Sequence, residues 1–403
     1  MTKERGNAVV GQSGGPTAVI NQSLVGVVEG LRQGLAASGS VARILGMRHG
    51  VNGLVKGDLI DLSAVPQDTL ERVADTPSAA LGSSRDKPDP EYCGKILRAC
   101  EEKNILWFFY IGGNDSSDTC RIVSEMAKQA GYPLRCLHVP KTVDNDLPGS
   151  DHTPGYPSAA RFVATAFRAD ALDGRSLPGI KINVVMGRNA GFLTAAAALA
   201  RERDDDGPHL IYVPELPFDP ARFVQDVERV YARLGRCQVA LSEGIVDAQG
   251  TSIGATLIRS GQTDSHGNAQ LSGSGALGDA LAELLKAELG TRASKAPRVR
   301  ADTFGYLQRC WPDASPVDRS EARAAGRVAA RLAAEGVEEA SVALIRTSDA
   351  PYACDLRRID LSEVAAKTRH LPEEFRQGTT DVSRAFLEYA RPLVGDLPRA
   401  AWL

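Results

Sequence analysis

Two short polar segments carry residue types that phosphoryl chemistry requires. Residues 140–146 (PKTVDND) place one lysine beside two carboxylates, and residues 112–116 (GGNDS) join two glycines to amide, carboxylate and hydroxyl groups. Each segment follows a short apolar run that is typical of a β-strand. Glycine amides can bind phosphate, a carboxylate can accept a proton or bind a metal, and lysine can stabilise anionic charge. The combination favours phosphoryl transfer to a hydroxyl group, which depends mostly on positioning and charge stabilisation.

Taken alone, each of these segments has a second interpretation. The pair Gly14 and Gly15 is also what many ordinary βα turns contain. The side chains of residues 114–116 are good helix N-caps, and this structural role is compatible with phosphate binding. An Asp-Asn-Asp turn at residues 144–146 is more often a solvated loop, but the adjacent Lys141 and the nearby glycine turns favour a catalytic role.

The elements that must position these residues follow an alternating βαβα pattern, which predicts mostly parallel sheets. Strands are predicted over residues 7–10, 41–45, 106–111, 136–139, 182–185 and 239–241. Helices are predicted over residues 17–35 and 117–130, and a loop over residues 261–274. Polar glycine-rich segments repeatedly follow the carboxyl ends of the strands, which is where open α/β sheets bind ligands. We therefore expect one large cleft.

Composition excludes several classes of protein. The chain has 403 residues, a formal net charge of -3, 43% hydrophobic residues and 24% charged residues. These values are ordinary for a globular protein and give no electrostatic argument for binding nucleic acid or an anionic membrane. Seven scattered cysteines without a CxxC pair predict reduced thiols. With no signal-peptide pattern and no apolar run of membrane-spanning length, the sequence predicts a cytoplasmic protein.

Several further motifs, taken in order, make the chain resemble the phosphofructokinase family, and specifically its pyrophosphate-dependent branch. They are residues 81–85 (LGSSR), 140–146, 152–156 (HTPGY), 186–188 (MGR), 242–244 (SEG), 304–309 (FGYLQR) and 371–375 (LPEEF). The resemblance covers nearly the full length. It implies two Rossmann-like three-layer α/β domains with the active site in the cleft between them. Residues 1–150 and 310–403 would bind the phosphoryl donor, and residues 151–309 would bind fructose 6-phosphate.

The resemblance also implies roles for individual residues. Asp144 matches the base that deprotonates the 1-hydroxyl of fructose 6-phosphate, with Thr142 and Asp146 beside it. The implied catalytic residues are Asp144, Lys141, Asp115, Thr142, Asp146 and Arg188. The implied substrate contacts are Gly15, Arg85, Gly113, Thr142, Val143, Asp144, Met186, Gly187, Arg188, Glu243, Arg300, Tyr306, Leu307, Gln308 and Arg309. Among these, Gly15 and Arg85 would contact the donor, Tyr306 and Arg309 the 6-phosphate, and Arg300 the site of a neighbouring subunit.

The donor can be argued from charge once the resemblance is accepted. ATP-using relatives have glycine at the positions of Asp115 and Lys141. A carboxylate about 4 Å from a nucleotide phosphate repels it by about 4 kcal/mol at an effective dielectric constant of ~20. That energy disfavours ATP by roughly a thousandfold. Lys141 adds a compact cation that can stabilise charge on pyrophosphate. Pyrophosphate is therefore the predicted donor, and the reaction is expected to be reversible.

The magnesium site departs from the family pattern. Many relatives have aspartate at the position of Asn114, and a neutral amide is a poorer ligand for Mg²⁺. The sequence therefore predicts Mg²⁺ as cofactor, with Asn114 as ligand through its carbonyl or a water, or with Asp115, Asp118 or Asp146 compensating.

Three alternatives were weighed against the leading hypothesis. An ATP-dependent 6-phosphofructokinase or related sugar-phosphate kinase stays open, whereas retention of Asp144, Lys141 and Arg188 argues against a non-catalytic sugar-phosphate-binding subunit. A generic dinucleotide-binding domain is disfavoured because no GxGxxG motif follows the first strand. The role implied for Arg300 requires a homodimer or homotetramer.

Overall fold

The computed structural model describes residues 5–87, 89–257, 275–291 and 297–401. The predicted loop at residues 261–274 lies outside these ranges. The chain divides into two compact units, the first formed by Met1–Ser158 and Arg309–Arg369 and the second by Ala159–Gln308 and His370–Leu403. Both units are α/β and their larger sheets are mostly parallel, so the predicted fold class is confirmed.

The first unit is built on a seven-stranded sheet with the order β11-β10-β5-β4-β1-β2-β3. Neighbouring strands are parallel except for the edge strands β3 and β11. The strands are β1 (Gly6–Gln12), β2 (Val41–Met47), β3 (Leu59–Asp61), β4 (Ile105–Gly112), β5 (Arg135–Pro140), β10 (Glu339–Asp349) and β11 (Tyr352–Ile359). The helices are α1 (Ile20–Leu31), α2 (Val51–Lys56), α3 (Gln67–Ala74), α4 (Pro90–Glu102), α5 (Asn114–Ala130), α11 (Pro316–Ala334) and α12 (Leu361–Val364).

Alternating side chains of the central strands build the core on both faces of this sheet. On one face, Val10 and Phe109 belong to a cluster that includes residues of α1 and α11. On the other face, Val9 and Phe108 belong to a cluster with residues of α4 and α5. All eight residues of β4 are buried, as expected for a strand covered by helices on both sides. The first unit is therefore a three-layer sandwich.

Helices α1 and α11 approach each other unusually closely because glycines face each other at the contact. A Cβ atom on Gly26 would lie 2.1 Å from the carbonyl oxygen of Arg323, and one on Gly326 would lie 2.2 Å from that of Ser23. Any side chain at either position would push the helices apart. The packing thus joins a helix near the start of the chain to one that follows some three hundred residues later.

The second unit contains a four-stranded parallel sheet with the order β7-β8-β6-β9. Its strands are β6 (Ile180–Val185), β7 (Leu210–Tyr212), β8 (Cys237–Ser242) and β9 (Val299–Thr303), with a small pair β12 (Arg376–Gln377) and β13 (Asp381–Val382). Helix α6 (Tyr156–Ser176) begins in the first unit and continues into the second. The remaining helices are α7 (Phe192–Ala196), α8 (Pro220–Leu234), α9 (Ile253–Leu257), α10 (Ala276–Gly290) and α13 (Arg384–Val394).

The C-terminal segment corrects one domain boundary. The sequence assigned residues 310–403 to the first domain, but only Arg309–Arg369 belongs there and His370–Leu403 belongs to the second unit. An aromatic cluster explains the difference, because Tyr389 of α13 lies 4.9 Å from Phe375 and 6.4 Å from Phe192 of α7, measured between ring centroids. The backbone amide of Ile211 in β7 also donates to the carbonyl of Thr380.

Two simpler predictions can also be compared with the structure. All seven cysteines lie within the described residues and are free, which confirms that they form no disulfide framework. Within the same ranges, we find no helix that is both long enough and apolar enough to cross a bilayer.

Candidate active site

In the first unit, the predicted phosphate-binding turns lie where strand order reverses. The chain runs outward from β1 to β2 on one side and from β4 to β5 on the other, so β1 and β4 are neighbours whose carboxyl ends share one edge. Ligands of open α/β sheets bind at such switch points. Gly14 and Gly15 follow β1, and residues 113–115 follow β4. The structure therefore brings the two glycine turns together, as predicted.

The turn after β1 packs closely against the ends of two cationic side chains. A Cβ atom on Gly15 would lie 2.7 Å from the Arg309 guanidinium carbon, and one on Gly14 would lie 3.1 Å from the Lys141 ammonium. Helix α1 starts only at Ile20, so these glycines precede the helix by several residues rather than capping it. The turn therefore presents backbone and two cations to a ligand, without the direct help of a helix end.

The turn after β4 leads directly into α5. Gly113 occupies the N-cap position, and Asn114 and Asp115 form the first helical positions. Asp115 is exposed, and no hydrogen bond or ion pair of its carboxylate is found among the described residues. The carbonyl oxygen Oδ1 of Asn114 is buried and has no hydrogen-bond partner in the described part of the chain. Its amide nitrogen donates to Asp146 at 3.3 Å.

Lys141 is the most perturbed cation at this edge. It is 3% exposed, and its ammonium donates to the carbonyl of Gly15 at 2.8 Å. Burial, assisted by the Arg309 guanidinium, lowers the pKa of Lys141 to about 7, although Asp144 and Asp146 act in the opposite direction. A buried ammonium beside a glycine turn attracts an anion. Burial removes the water that stabilises the positive charge, and a bound anion stabilises that charge instead.

The predicted catalytic turn follows β5 and is held by its own side chains. The Thr142 hydroxyl donates to Asp146 at 3.1 Å and accepts from the backbone amide of Asp144 at the same distance. Burial raises the pKa of Asp146. Asn145 adopts a positive φ of 60° and is completely buried, so the chain turns sharply between the two aspartates. Asp144 and Asp146 are thereby placed on the same short turn as Thr142.

Two arginines complete the positive charge of this region. Arg85 is exposed, and both Arg85 and Arg309 act to lower the pKa of Lys141. Arg309 packs over Gly15 in the first unit, whereas the other residues of its motif, Tyr306, Leu307 and Gln308, belong to the second unit. The first unit therefore gathers three cations (Lys141, Arg85 and Arg309) and three carboxylates (Asp115, Asp144 and Asp146) around its glycine turns.

In the second unit, the turn after β6 brings together several of the residues assigned to the sugar phosphate. Gly187 has a positive φ of 119°, and a Cβ there would lie 2.5 Å from the Ala190 carbonyl oxygen, so only glycine fits. Its own carbonyl accepts a hydrogen bond from Ser242 at 2.7 Å. The amide of Met186 points at the Gln308 side chain, 3.3 Å away. The ends of β6, β8 and β9 thus form one polar edge.

The residues at this edge differ in how far they are exposed to solvent. Glu243, directly after β8, is 4% exposed and Gln308 is 1% exposed, whereas Tyr306 is 47% and Leu307 is 66% exposed. Arg188 is half-buried. The buried members are fixed by the fold, whereas the exposed ones are accessible to a ligand or another molecule.

Arg300 is not part of this edge. It pairs with Lys181 near the amino end of β6, whereas Thr303 pairs with Val184 near the carboxyl end. Met186 follows Lys181 by five residues, so at about 3.3 Å per residue Arg300 lies about 16 Å along the strand from the Met186 turn. Within its own chain, the structure therefore does not bring Arg300 to the sugar-phosphate residues.

Sequence reasoning missed His138, a residue of β5 whose ring is hydrogen-bonded to the last residue of β4, directly before the turn. Its Nε2 lies 2.9 Å from the Gly112 carbonyl oxygen and its Nδ1 lies 2.8 Å from the Ser341 hydroxyl. Burial lowers the pKa of His138 to about 4, so the ring is neutral at pH 7. Because a carbonyl oxygen only accepts, Nε2 carries the proton. A histidine inside an apolar strand was the one signal available.

Comparison with known proteins agrees with this geometry. A family model described as Phosphofructokinase matches residues 7–333. A curated relative from Rhodospirillum rubrum, named pyrophosphate–fructose 6-phosphate 1-phosphotransferase, is 52% identical over 97% of this chain and 95% of its own length. One of the same name from Xanthomonas campestris pv. campestris is 38% identical over 98% and 93%. The solved structure of a pyrophosphate-dependent phosphofructokinase from Nitrosospira multiformis is similar with a TM-score of 0.85 at 32% identity, covering 98% of this chain and 94% of that one. The chain therefore belongs to the phosphofructokinase family.

Proposed function

We propose that the protein transfers a phosphoryl group reversibly from pyrophosphate to the 1-hydroxyl of fructose 6-phosphate, giving fructose 1,6-bisphosphate and phosphate. The relatives from Rhodospirillum rubrum and Xanthomonas campestris pv. campestris, which resemble it over nearly its full length, carry the name of this activity. The observation that carries the proposal is the buried Lys141 ammonium, which lies against the Gly15 carbonyl with Asp144 and Asp146 nearby. A cation placed there serves a small anionic donor.

The first unit supplies the base and the charge for the transfer. Asp144 accepts the proton of the 1-hydroxyl group of fructose 6-phosphate. The oxygen of that hydroxyl attacks the near phosphorus of pyrophosphate, and the bond from this phosphorus to the departing phosphate breaks. Thr142 and Asp146 hold the turn that carries Asp144. Lys141 and Arg85 stabilise the charge that spreads over the transferred group. Gly113 and Gly15 present backbone groups to the donor. Val143 lies in the turn that carries Asp144 and also contributes to substrate binding.

The charge on Lys141 responds to the donor. With a pKa of about 7, this lysine is only partly protonated in the free protein at neutral pH. An anion in hydrogen-bonding range favours the ammonium form and raises that pKa. Pyrophosphate binding therefore charges the lysine where the transition state needs it. Asp115, at the start of α5, places a negative charge beside the same turn and disfavours the longer polyphosphate of ATP.

The second unit binds the sugar phosphate in this proposal. Met186, Gly187, Arg188 and Glu243 hold the sugar, and Tyr306, Leu307, Gln308 and Arg309 take the 6-phosphate. Arg188 is proposed to contribute positive charge to the transfer and is for that reason also included among the catalytic residues. The first unit accordingly acts as the donor domain and the second as the fructose 6-phosphate domain.

Magnesium is the proposed cofactor, and the residues around Asn114 fit it. The buried Oδ1 of Asn114 has no hydrogen-bond partner among the described residues, and Asp146 accepts a hydrogen bond from the amide nitrogen of the same side chain. Carbonyl and carboxylate oxygens are the donors that Mg²⁺ prefers. Asn114 and Asp146 would hold the ion, which when bound adds positive charge to the phosphate oxygens of the donor.

Assembly and location are also proposals. Arg300 lies far along β9 from the sugar-phosphate turn of its own chain, and a role in substrate binding would place it in a neighbour's site, so we propose a homodimer or homotetramer. Light scattering coupled to gel filtration tests this, and a monomer under assay conditions would contradict it. A cytoplasmic location is proposed because the free cysteines suit a reducing compartment.

The donor identity is tested by initial rates with pyrophosphate and with ATP at equal Mg²⁺. We expect turnover with pyrophosphate and little with ATP. Faster turnover with ATP would overturn the proposed donor and favour an ATP-dependent kinase. The reverse reaction, from fructose 1,6-bisphosphate and phosphate, provides the second half of the test, since a reversible transferase must run both ways.

A further inference from the structure

The motif at residues 152–156 has no part in the chemistry described so far, yet it is bonded to the catalytic turn. The amide of Thr142 donates to the carbonyl of Pro154 at 3.2 Å. The amide of Thr153 donates to the Asn145 side chain at 3.0 Å, and the Thr153 hydroxyl donates to the Thr142 carbonyl at 3.1 Å. The position of the catalytic turn (residues 142–146) therefore depends on where residues 152–156, the return segment, lie.

One end of the return segment is held by a buried aspartate of α11. Asp318 is 0% exposed, and its carboxylate accepts hydrogen bonds from the amide of Gly155 at 2.8 Å and from the amide and hydroxyl of Ser158. Gly155 has a φ of 108°, and a Cβ there would lie 2.7 Å from the Thr17 methyl carbon. The segment has no room to take another path.

The other end is held one helical turn later by Glu321. One carboxylate oxygen of Glu321 lies 2.6 Å from Nε2 of the buried His152, and the other accepts from the Tyr352 hydroxyl at 2.6 Å. A single helix thus carries two carboxylates, three residues apart, that grip the return segment at both ends.

A buried carboxylate would be unfavourable if its only role were to fill space in the core. Burial raises the pKa of Asp318 to about 6, which reflects the desolvation of its charge. No lysine or arginine pairs with this carboxylate among the described residues; it accepts from two backbone amides and one hydroxyl group. Burying a charge without an ionic partner is unfavourable unless several hydrogen bonds satisfy it. A buried charge that lowers the stability of the fold is typical of sites where the geometry of the groups matters more than stability.

We propose that Asp318, and through His152 also Glu321, are positioning residues that fix the catalytic turn in the geometry phosphoryl transfer requires. The inference rests on the proposed function, because it assigns these residues to the turn that carries Asp144. They touch no substrate. They act through Gly155, Ser158 and His152 on residues 142–146.

The test is Asp318→Asn, which keeps the shape of the side chain but points an amide NH₂ at groups that themselves donate. We expect kcat with pyrophosphate to fall by about 10–100-fold in both directions, since a misplacement near 1 Å can cost about a hundredfold. Michaelis constants for pyrophosphate and fructose 6-phosphate should change by less than about threefold, because no substrate contact is removed. A residue that only stabilises the fold would lower the melting temperature without this split between kcat and KM.

Asp219→Asn is the matched control. Asp219 caps α8 in the second unit, where its carboxylate also accepts from two backbone amides, at 2.8 and 3.4 Å. It should lose stability and keep kcat. If Asp318→Asn folds and has wild-type kcat, or loses kcat only in proportion to fructose 6-phosphate affinity, the inference is wrong.

Two further outcomes are separated by design. If Asp318→Asn does not fold, Glu321→Gln decides the matter, with an expected fall in kcat of about 3–10-fold; wild-type kcat there overturns the inference. If the wild-type protein itself shows no pyrophosphate-dependent turnover, the proposed function has failed, which is a result distinct from an active wild type with an equally active Asp318→Asn.

Discussion

Replacing Lys141 by methionine should stabilise the folded protein while removing most of its turnover. Burial and the nearby Arg309 lower the pKa of Lys141 from 10.5 to about 7. One pKa unit corresponds to about 1.36 kcal/mol, so this change represents about 5 kcal/mol of unfavourable free energy below pH 7. Methionine also loses the hydrogen bond to the Gly15 carbonyl, which costs about 1–3 kcal/mol. We expect a net gain in the free energy of unfolding of about 2–4 kcal/mol.

The gain should depend on pH in a defined direction. In the unfolded chain the lysine keeps its proton up to pH 10.5, whereas in the folded protein it loses the proton near pH 7. Between these values the unfolded state binds more protons, so the stability of the wild-type protein rises with pH. The advantage of Lys141→Met is therefore largest at pH 7 and below. It shrinks as pH increases and changes sign between about pH 8 and about pH 10, where the remaining penalty equals the cost of the lost hydrogen bond. At pH 10.5 and above, only the lost hydrogen bond remains and the variant is the less stable protein.

Denaturant unfolding at several pH values across this window measures both effects. Lys128→Met is the control, because Lys128 lies in α5 with its side chain 49% exposed and is 3.3 Å from Glu339. An exposed pair contributes less than about 1 kcal/mol, so this control should show little change and little pH dependence. Turnover of Lys141→Met with pyrophosphate should fall by about 10²–10³-fold. A variant that is less stable than wild type at neutral pH, or equally stabilised at every pH, would refute the reasoning.

Three other substitutions test separate parts of the site. Asp115→Gly combined with Lys141→Gly should weaken pyrophosphate use and admit some ATP, because the charges that distinguish the donors are gone; unchanged pyrophosphate kinetics would show that they do not select the donor. Asp144→Ser should lower kcat by about 10²–10⁴-fold and retain fructose 6-phosphate binding by calorimetry, and loss of binding would point to a different role. Gly187→Ala should raise KM for fructose 6-phosphate at least tenfold, roughly, without changing KM for pyrophosphate, since its Cβ would meet the Ala190 carbonyl oxygen at 2.5 Å. Gly174→Ala, whose Cβ meets nothing within 4 Å, is its control.

The strands that carry the site could be predicted because their apolar runs are short, continuous and followed by polar turns. The predicted strands over residues 106–111 and 136–139 lie within β4 and β5, which are longer by one residue at each end. The helix predicted over residues 17–35 begins instead at Ile20, because Pro16 and the turn after Gly15 delay it, and it ends in a short π-helical stretch. Local pattern was sufficient for these elements.

Contacts between distant parts of the chain could not be predicted in this way. The hydrogen bonds from Gly155 and Ser158 to Asp318 join residues about 160 apart in sequence, and nothing near Asp318 distinguishes it from an ordinary first-turn aspartate. The low pKa of Lys141 depends on burial, which composition does not reveal. The placement of the segment after Arg369 depends on the aromatic contacts of Tyr389, and the sequence predicted it in the other unit.

The two units are interleaved along the chain, and this has a consequence for synthesis. The first unit needs α11 to cover α1, and strand β10 to cover the open edge of β5. The second unit needs α13, which follows every segment of the first unit. Domains usually fold as they leave the ribosome, the earliest first. Here the first unit cannot finish before β10 has emerged, and the second cannot finish before α13 has emerged. The nascent chain must therefore hold an unpaired β5 edge and an uncovered glycine face of α1 while most of the second unit is synthesised.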